Sequence, residues 1–237
     1  MRPGLWFVVP AHGRLAKAAV CLRQLRRTID KLEREGIDAA AVVVACDENL
    51  DTARQLGFGT IERDNTGVGR RYNDGIQYAT DPACNRYPAD FVVPCGSDDW
   101  IDHRILRDPD PDSIRVFRRA SFVNEQATEI AVGVTGRGGW GIRVYPAWAV
   151  RLAGYRPAEE DIRAGCDTSI MLNLRRHNIP VSCGDTHDRQ IVDWKTQGEQ
   201  LHAYRHVSVN AATQPDPFSA LAPHYPASAL NEMRALY

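Results

Sequence analysis

The chain has 237 residues, a formal net charge of -1, 43% hydrophobic residues and 25% charged residues. This length suits one α/β domain with a buried core, and the composition is ordinary for a globular protein. The near-neutral charge argues against strong electrostatic binding to nucleic acid or anionic lipid. Because no apolar run approaches about 18 residues and the first run is short, we expect no membrane span and no signal peptide, and a cytoplasmic protein.

Six cysteines are spread along the chain without a CxxC pair, at Cys21, Cys46, Cys84, Cys95, Cys166 and Cys183. A protein of this size does not need disulfides, and Cys46 and Cys95 lie in strand-like apolar runs. We therefore expect free, buried thiols.

Strands and helices alternate over the first 62 residues. The apolar run 5–9 predicts a first strand that ends in the loop 10–14, and apolar residues at steps of three or four predict an amphipathic helix from Leu15 to about Gly36. A strand over 39–46, a short helix over 51–56 and a brief strand over 60–62 follow. This order is typical of a parallel, nucleotide-binding type of sheet.

Asp47 follows the second strand directly. A carboxylate at that place either accepts hydrogen bonds from a nucleobase or ribose at the sheet's crevice, or caps the next helix. Further on, Val68, Tyr72, Ile76 and Ala79 form a helical stripe behind a Gly-x-Gly turn. A helix start with free N–H groups beside Arg70 and Arg71 predicts an anion site.

The run Phe91–Val93 predicts a buried strand that delivers Ser97, Asp98 and Asp99 at its carboxyl end. Open α/β sheets bind ligands at that end, and neighbouring carboxylates attract hard cations such as Mg²⁺ or Mn²⁺, which hold phosphate oxygens. The alternative is a solvated turn after the strand, with Asp99 or Asp102 capping the next element.

The middle of the chain is less regular. Aspartates and prolines alternate over 108–112, which favours a solvated turn over a second cation site. Residues 120–134 alternate in polarity and predict a hairpin at an antiparallel edge of the sheet, and residues 144–155 predict a short helix and turn.

A glycine-rich stretch over 135–142, which includes Gly139 and Trp140, predicts a flexible loop. The Trp140 ring offers a flat apolar face for stacking, although a buried structural role competes with this interpretation. The helix predicted over 164–176 places Asp167 in its first turn, on the face of its apolar stripe. Asp167 is either a functional carboxylate or a group that stabilises the helix N-terminus.

The last third of the chain contains a predicted strand over 180–183 and a concentration of polar and aromatic residues after it: His187, Asp188, Asp193, Trp194, Lys195, His202 and His206. We expect one domain over 1–206 and a proline-rich arm over 207–237 that ends in a short helix. The arm either lies on the domain or contributes to a homo-oligomer contact.

Four of these features, in this order, resemble the GT-A fold glycosyltransferases, and in particular the family-2 group of inverting enzymes that use nucleotide-diphosphate sugars. The loop 10–14 is similar to the family's Pro-x-x-Asn-Arg loop, and Asp47 to the Asp after its second strand. The residues Asn65-x-Gly67 and Arg71-x-Asn73-x-Gly75 resemble its Asn-x-Gly and Arg-x-x-Gly helix. Ser97-Asp98-Asp99 stands where the family has its Asp-x-Asp metal motif. The resemblance covers roughly residues 5 to 180.

The resemblance implies a mainly parallel α/β sheet flanked by helices and the transfer of a sugar, with a UDP-sugar favoured as donor, to an acceptor hydroxyl. It implies that Asp167 is the general base and that Asp98 binds Mn²⁺ or Mg²⁺, helped by Asp99 and by one of His187, His202 and His206. The implied donor-binding residues are Pro10, His12, Arg14, Asp47, Asn65, Gly67, Arg71, Asn73, Ser97 and Asp98. Gly139 and Trp140 are implied to lie on the acceptor side, where the Trp140 ring would stack on a sugar.

The chain departs from the family pattern at three positions. Gly96 replaces the first Asp of the metal motif, Gly13 replaces the Asn of the first loop, and Cys166 replaces a Glu before the general base. Two alternatives therefore stay open: a sugar nucleotidyltransferase, and a nucleotide-sugar or glycan-binding module without catalysis. The first loop lacks the glycine-rich sequence that nucleotidyltransferases usually have.

Overall fold

The protein is described by a computed structural model over residues 4–134, 142–162, 166–184, 190–194 and 213–237. Its strands are β1 (Gly4–Pro10), β2 (Asp38–Ala45), β3 (Gly59–Glu62), β4 (Phe91–Pro94), β5 (Asp99–Ile101), β6 (Ile114–Phe117), β7 (Arg119–Val123), β8 (Glu129–Val134), β9 (Arg143–Pro146), β10 (Val181–Gly184), β11 (Ile191–Trp194) and β12 (Thr213–Pro215). Its α-helices are α1 (Leu15–Arg34), α2 (Asn49–Gln55), α3 (Val68–Thr80), α4 (Ala147–Leu152), α5 (Cys166–Arg175), α6 (Pro217–Leu221) and α7 (Ala227–Arg234).

The larger sheet has seven strands in the order β10-β6-β9-β4-β1-β2-β3. Strand β1 is parallel to β2 and β4, and only β9, among the described pairings of this sheet, runs antiparallel to its neighbours. The predicted parallel sheet is confirmed. The helix predicted over 144–155 is wrong in its first part, because Arg143–Pro146 is buried between β4 and β6 and pairs with both.

The smaller sheet has five strands in the order β12-β8-β7-β11-β5. The hairpin predicted over 120–134 forms as β7 and β8, but its predicted position at an edge of the first sheet is wrong. Strand β7 pairs with β11, and β10 occupies the corresponding edge of the larger sheet. Alternating polarity identifies a strand, whereas the partner strand is chosen by packing far away in sequence.

The two faces of the larger sheet bury different side chains. Phe7 and Val43 pack with the apolar face of α1, whereas Val8 and Val42 pack with α3 and α5 on the opposite face. This alternation follows from the period of two along a strand. Helices therefore cover both faces, as expected for a mainly parallel sheet.

The chain after residue 212 packs against the smaller sheet and α1. Strand β12 pairs with β8, and Phe218 and Tyr225 join a core that contains Trp100 and Trp194. The final helix predicted over 227–236 is observed as α7. The predicted domain boundary at residue 207 lies outside the described residues, and the two-part division stays a prediction.

All six cysteines are free. Cys21, Cys95 and Cys166 are buried as expected, but the expectation of burial is wrong for the exposed Cys84 and Cys183 and for Cys46, which is exposed just after β2. The apolar run that suggested burial ends one residue earlier, at Ala45. Within the described part of the chain, every helix is too short or too polar to cross a bilayer.

Candidate active site

The carboxyl ends of β1, β2 and β4 carry polar residues at the same edge of the larger sheet. Strand β4 ends at Pro94, and after a short loop the chain enters β5, which belongs to the smaller sheet. Asp98 and Asp99 therefore lie where the chain passes from one sheet to the other. This is the crevice in which open α/β sheets bind ligands.

Gly96 makes room for the carboxylates that follow it. Its backbone N–H donates to Asp99 Oδ2 at 2.6 Å. A Cβ at position 96 would lie 2.6 Å from Asp98 Oδ1 and 3.0 Å from Asp99 Oδ2. A side chain at position 96 would therefore displace a carboxylate. Glycine at this position leaves space for Asp98 and for Asp99, the first residue of β5.

Asp193 supplies a third carboxylate that the sequence did not identify as a ligand. In the antiparallel pairing of β5 with β11, Asp193 lies directly opposite Asp99. The ligand atoms of Asp98, Asp99 and Asp193 lie within 4.8 Å of one another. Like charges opposite each other in a sheet destabilise it unless a cation neutralises them, and hard oxygen ligands suit Mg²⁺ or Mn²⁺. The donor set therefore fits a divalent cation.

The only sequence signal for Asp193 is a polar residue between two buried ones in β11. It was one of several polar residues after the predicted last strand, and nothing local distinguishes it from its neighbours. Its partner Asp99 is distant in sequence, so the register of β5 and β11 had to be known first.

The first loop contributes a cation to this cluster. Arg14 Nη1 donates to Asp98 Oδ2 at 2.8 Å, and its Nη2 lies 3.5 Å from Ser97 Oγ. Gly13 and Arg14 both have left-handed backbones, with φ of 58° and 48°. Glycine adopts that conformation without a steric penalty, which suits Gly13 to this turn.

Asp47 holds this loop in place. Its Oδ2 accepts from the Gly13 backbone N–H at 2.7 Å, and its Oδ1 accepts from the Asn49 backbone N–H at 3.1 Å. His12 Nδ1 lies 3.7 Å from Asp47 Oδ2, while Pro10 is the last residue of β1. The carboxylate thus has the structural role considered as the alternative, and its contact with a nucleobase or ribose stays a prediction.

The anion site predicted at the start of α3 is wrong. The Val68 N–H donates to Ile162 O at 3.1 Å, and the Arg70 N–H donates to Glu160 O at 3.3 Å. A Cβ at Gly67 would lie 2.5 Å from Glu160 O, and one at Gly69 would overlap the carbonyl of Glu159. The two glycines therefore let residues 159–162 cross the helix start, and those carbonyl groups take the place of an anion.

Other donor-binding candidates on or near α3 also contact protein groups. Arg71 is buried and donates to Ala11 O at 2.8 Å. Asn73 exchanges two hydrogen bonds with the backbone of Ala158, at 2.9 and 2.8 Å. Asn65 is exposed in the loop before the helix. Arg71 and Asn73 brace the loops around the crevice, and direct contact of either with a donor stays a prediction.

Asp167 lies in the first turn of α5, as predicted. Its Oδ2 accepts from Arg143 Nη1 at 3.0 Å, and its side chain is 35% exposed whereas that of Arg143 is 4% exposed. Burial lowers the pKa of Arg143, but Tyr145 and Asp167 outweigh it and hold that pKa above its usual value. Arg143, which the sequence did not single out, orients the carboxylate.

The acids after β4 and Asp167 lie at the same edge of the larger sheet. Burial raises the pKa of the Tyr72 hydroxyl well above its usual value, and Asp99 and Asp167 both add to that shift through their charges. In the antiparallel pairing of β9 with β4, Tyr145 lies opposite Val92, so the start of β9 lies beside the carboxyl end of β4. Arg143 and the Asp167 carboxylate bonded to it therefore lie at the edge of the sheet that carries Asp98 and Asp99.

Several predicted site residues lie outside the described residues. They are Gly139 and Trp140 on the acceptor side and the three histidines considered as metal ligands, His187, His202 and His206. Their roles stay predictions.

No protein-family model and no curated protein matches this sequence. The chain is similar in structure to the catalytic domain of Drosophila β1,4-galactosyltransferase 7 in complex with xylobiose, with a TM-score of 0.54 and 12% identity over 78% of this chain and 66% of that one. It thus spans just under two thirds of that protein.

Two further solved structures are similar. Glucosyl-3-phosphoglycerate synthase from Mycobacterium tuberculosis, in complex with phosphoglyceric acid, gives a TM-score of 0.52 with 10% identity over 88% of this chain and 76% of that one. The inositol-1-phosphate CTP transferase from T. maritima gives 0.50 with 13% identity over 88% and 95%. Together with the mainly parallel sheet and its covering helices, these similarities show that the chain has the GT-A fold of nucleotide-diphospho-sugar transferases.

Proposed function

We propose that this protein is a metal-dependent, inverting glycosyltransferase that moves a sugar from a nucleotide-diphosphate donor, with a UDP-sugar favoured, to an acceptor hydroxyl. The observation that carries the proposal is the carboxylate cluster of Asp98, Asp99 and Asp193 at the ligand-binding edge of a GT-A sheet. Asp167, hydrogen-bonded to Arg143 at the start of β9, lies beside the carboxyl end of β4 at that same edge. A transferase of this kind needs a cation site for the leaving diphosphate and a base for the acceptor, in one crevice.

The carboxylate cluster and Asp167 have separate roles in this reaction. A divalent cation held by the cluster would stabilise the negative charge that develops on the departing diphosphate. The acceptor oxygen forms a bond to the anomeric carbon while the bond from that carbon to the diphosphate oxygen breaks, and the acceptor proton moves to Asp167. Arg143 fixes the orientation of the Asp167 carboxylate through a hydrogen bond of 3.0 Å.

The structural comparisons support this proposal. A mutant of the galactosyltransferase has been solved with manganese, UDP-Gal and xylobiose, and that structure aligns with a TM-score of 0.54. The bound groups in that complex are the classes of ligand that the proposal assigns to this chain: a divalent cation, a nucleotide sugar and an acceptor with hydroxyl groups.

A nucleotidyltransferase is the second candidate, because the CTP transferase is covered over 95% of its length. The first loop argues against this candidate, because residues 10–14 contain one glycine, whereas nucleotidyltransferases usually have several in this loop. The released product separates the candidates. A glycosyltransferase releases nucleoside diphosphate from a nucleotide sugar, whereas a nucleotidyltransferase releases pyrophosphate when it joins a nucleoside triphosphate to a sugar phosphate. A binding module releases neither.

The test begins with a thermal-shift panel of nucleotide sugars in the presence of Mn²⁺, followed by hydrolysis and transfer assays with the donor that stabilises the protein most. In Asp167→Asn we expect turnover to fall about 10² to 10⁴-fold, the usual contribution of a general base, with unchanged affinity for nucleotide. The exposed Asp112→Asn is the matched control. Unchanged turnover in Asp167→Asn would remove this residue from the mechanism.

A further inference from the structure

The last helix runs antiparallel to the first and reaches the edge of the candidate site. Glu232 of α7 accepts from Arg23 Nε and Arg27 Nη2 of α1, both at 2.5 Å. Beyond the end of α7, Tyr237 Oη accepts from Lys17 Nζ at 2.6 Å. Because later residues of the C-terminal segment contact earlier residues of α1, Tyr237 is delivered to the first turn of α1.

Lys17 lies one turn from Arg14, the residue that binds Asp98. Lys17 is only 8% exposed, which is rare for lysine. Cys21, one turn after Lys17 in α1, lines a small cavity together with Gly96, Ser97 and Asp99. Lys17 therefore lies between two residues of the same chain segment that reach the loop of the carboxylate cluster. The fold therefore places two cationic side chains, from the same loop and helix start, next to the candidate cation site.

We propose that Lys17 is a phosphate-binding residue of the donor site and that Tyr237 is the positioning residue that holds its ammonium group there. This inference depends on the proposed function. A nucleoside diphosphate carries more negative charge than one divalent cation neutralises, and an ammonium group is a compact charge with three N–H donors for phosphate oxygens. The Tyr237 hydroxyl accepts one of those hydrogens and holds the ammonium group at the start of α1.

The experiment measures UDP binding by calorimetry in the presence of Mn²⁺ and uridine binding by ligand-observed NMR. Loss of a charge-assisted hydrogen bond in Lys17→Met should weaken UDP binding by about tenfold or more. Removing only the hydroxyl, in Tyr237→Phe, should weaken it by about threefold, because a neutral partner contributes less. Uridine, which has no phosphate, should bind all variants equally. Lys31→Met, at the far end of α1, is the matched control and should bind UDP like the wild type.

The outcomes separate this inference from the proposed function. A wild-type protein that binds neither UDP nor any other nucleoside diphosphate of the thermal-shift panel would contradict both. Wild-type binding together with unchanged binding in Lys17→Met would overturn the inference alone, as would parallel losses of UDP and uridine binding, which indicate a structural defect. Since Tyr237 is 47% exposed, Tyr237→Phe should fold normally, and if Lys17→Met does not fold, unchanged UDP binding in Tyr237→Phe overturns the inference.

Discussion

Replacing Asp193 with Asn should change the thermal stability of the protein in opposite directions with and without a divalent cation. Without a cation, the variant loses a negative charge that lies opposite Asp99 and beside Asp98. With a cation, it loses one of the three carboxylates that hold the ion. A residue with a purely structural role would shift stability in the same direction under both conditions.

The magnitude follows from the spacing of the carboxylates. At the 4.8 Å that bounds the ligand atoms, two unit charges repel by about 1 kcal/mol in water and about 3.5 kcal/mol at an effective dielectric of about 20. Arg14 pairs with Asp98 at 2.8 Å and offsets part of this repulsion, so the lower half of the range applies. Without a cation, we therefore expect Asp193→Asn to raise the free energy of unfolding by about 1 to 2 kcal/mol, which corresponds to a rise in Tm of about 2 to 8 °C for a chain of this size.

The assay is differential scanning fluorimetry in EDTA and in excess MnCl₂, on the wild type, Asp193→Asn and the exposed Asp112→Asn as control. Excess cation stabilises the wild type by mass action, by about 2.7 kcal/mol at about one hundred times Kd, and we expect at most a small fraction of this in Asp193→Asn. An equal Mn²⁺-induced shift in the variant would refute the assignment of Asp193 to the cation site.

Three further predictions concern stability, pH and accessibility. Gly69→Ala should destabilise the protein by about 1 to 3 kcal/mol in urea unfolding despite alanine's helix preference, because its Cβ would overlap a backbone carbonyl. Burial raises the pKa of Asp102, but hydrogen bonds from Arg104 outweigh it and hold that pKa below its usual value. The resulting stability is present above the unfolded pKa and lost as pH falls through the folded pKa, so Asp102→Asn should flatten the acid side of the urea-midpoint profile. Cys46, exposed 3.9 Å from His12, should be alkylated about tenfold more slowly in UDP and Mn²⁺ at about ten times Kd.

Each of these predictions has a matched comparison. Gly59→Ala meets neighbouring atoms only at 3.4 Å or more and should be tolerated, so equal losses in both glycine variants would contradict the clash. An unchanged acid-side slope in Asp102→Asn would show that other groups control it. Alkylation is measured in a background in which the exposed Cys84 and Cys183 are replaced by serine, and unprotected labelling there would place Cys46 outside the donor site.

The parallel sheet could be predicted because its signals are local. The buried strands β1, β2 and β4 read as short apolar runs, and α1 has an apolar stripe with a helical period. The acids after β4 and in the first turn of α5 could be placed for the same reason: each directly follows or begins an element whose boundaries the sequence indicates.

The remaining part of the site depends on pairings between distant residues. The register that sets Asp193 opposite Asp99, the buried Arg143 beneath Asp167 and the crossing of residues 159–162 over the start of α3 leave no periodic signal. The pair Gly67 and Gly69 indicated a tight approach of backbone, but not whether an anion or another segment of the chain makes it.

The position of β11 has a consequence for biosynthesis. Asp98 and Asp99 leave the ribosome long before Asp193, and the three carboxylates converge only when β11 has paired with β5. A nascent chain that stops before β11 therefore offers two of the three carboxylates, and we expect it to bind Mn²⁺ more weakly than the folded protein. Cation affinity in such a truncation series would report the moment at which the smaller sheet closes.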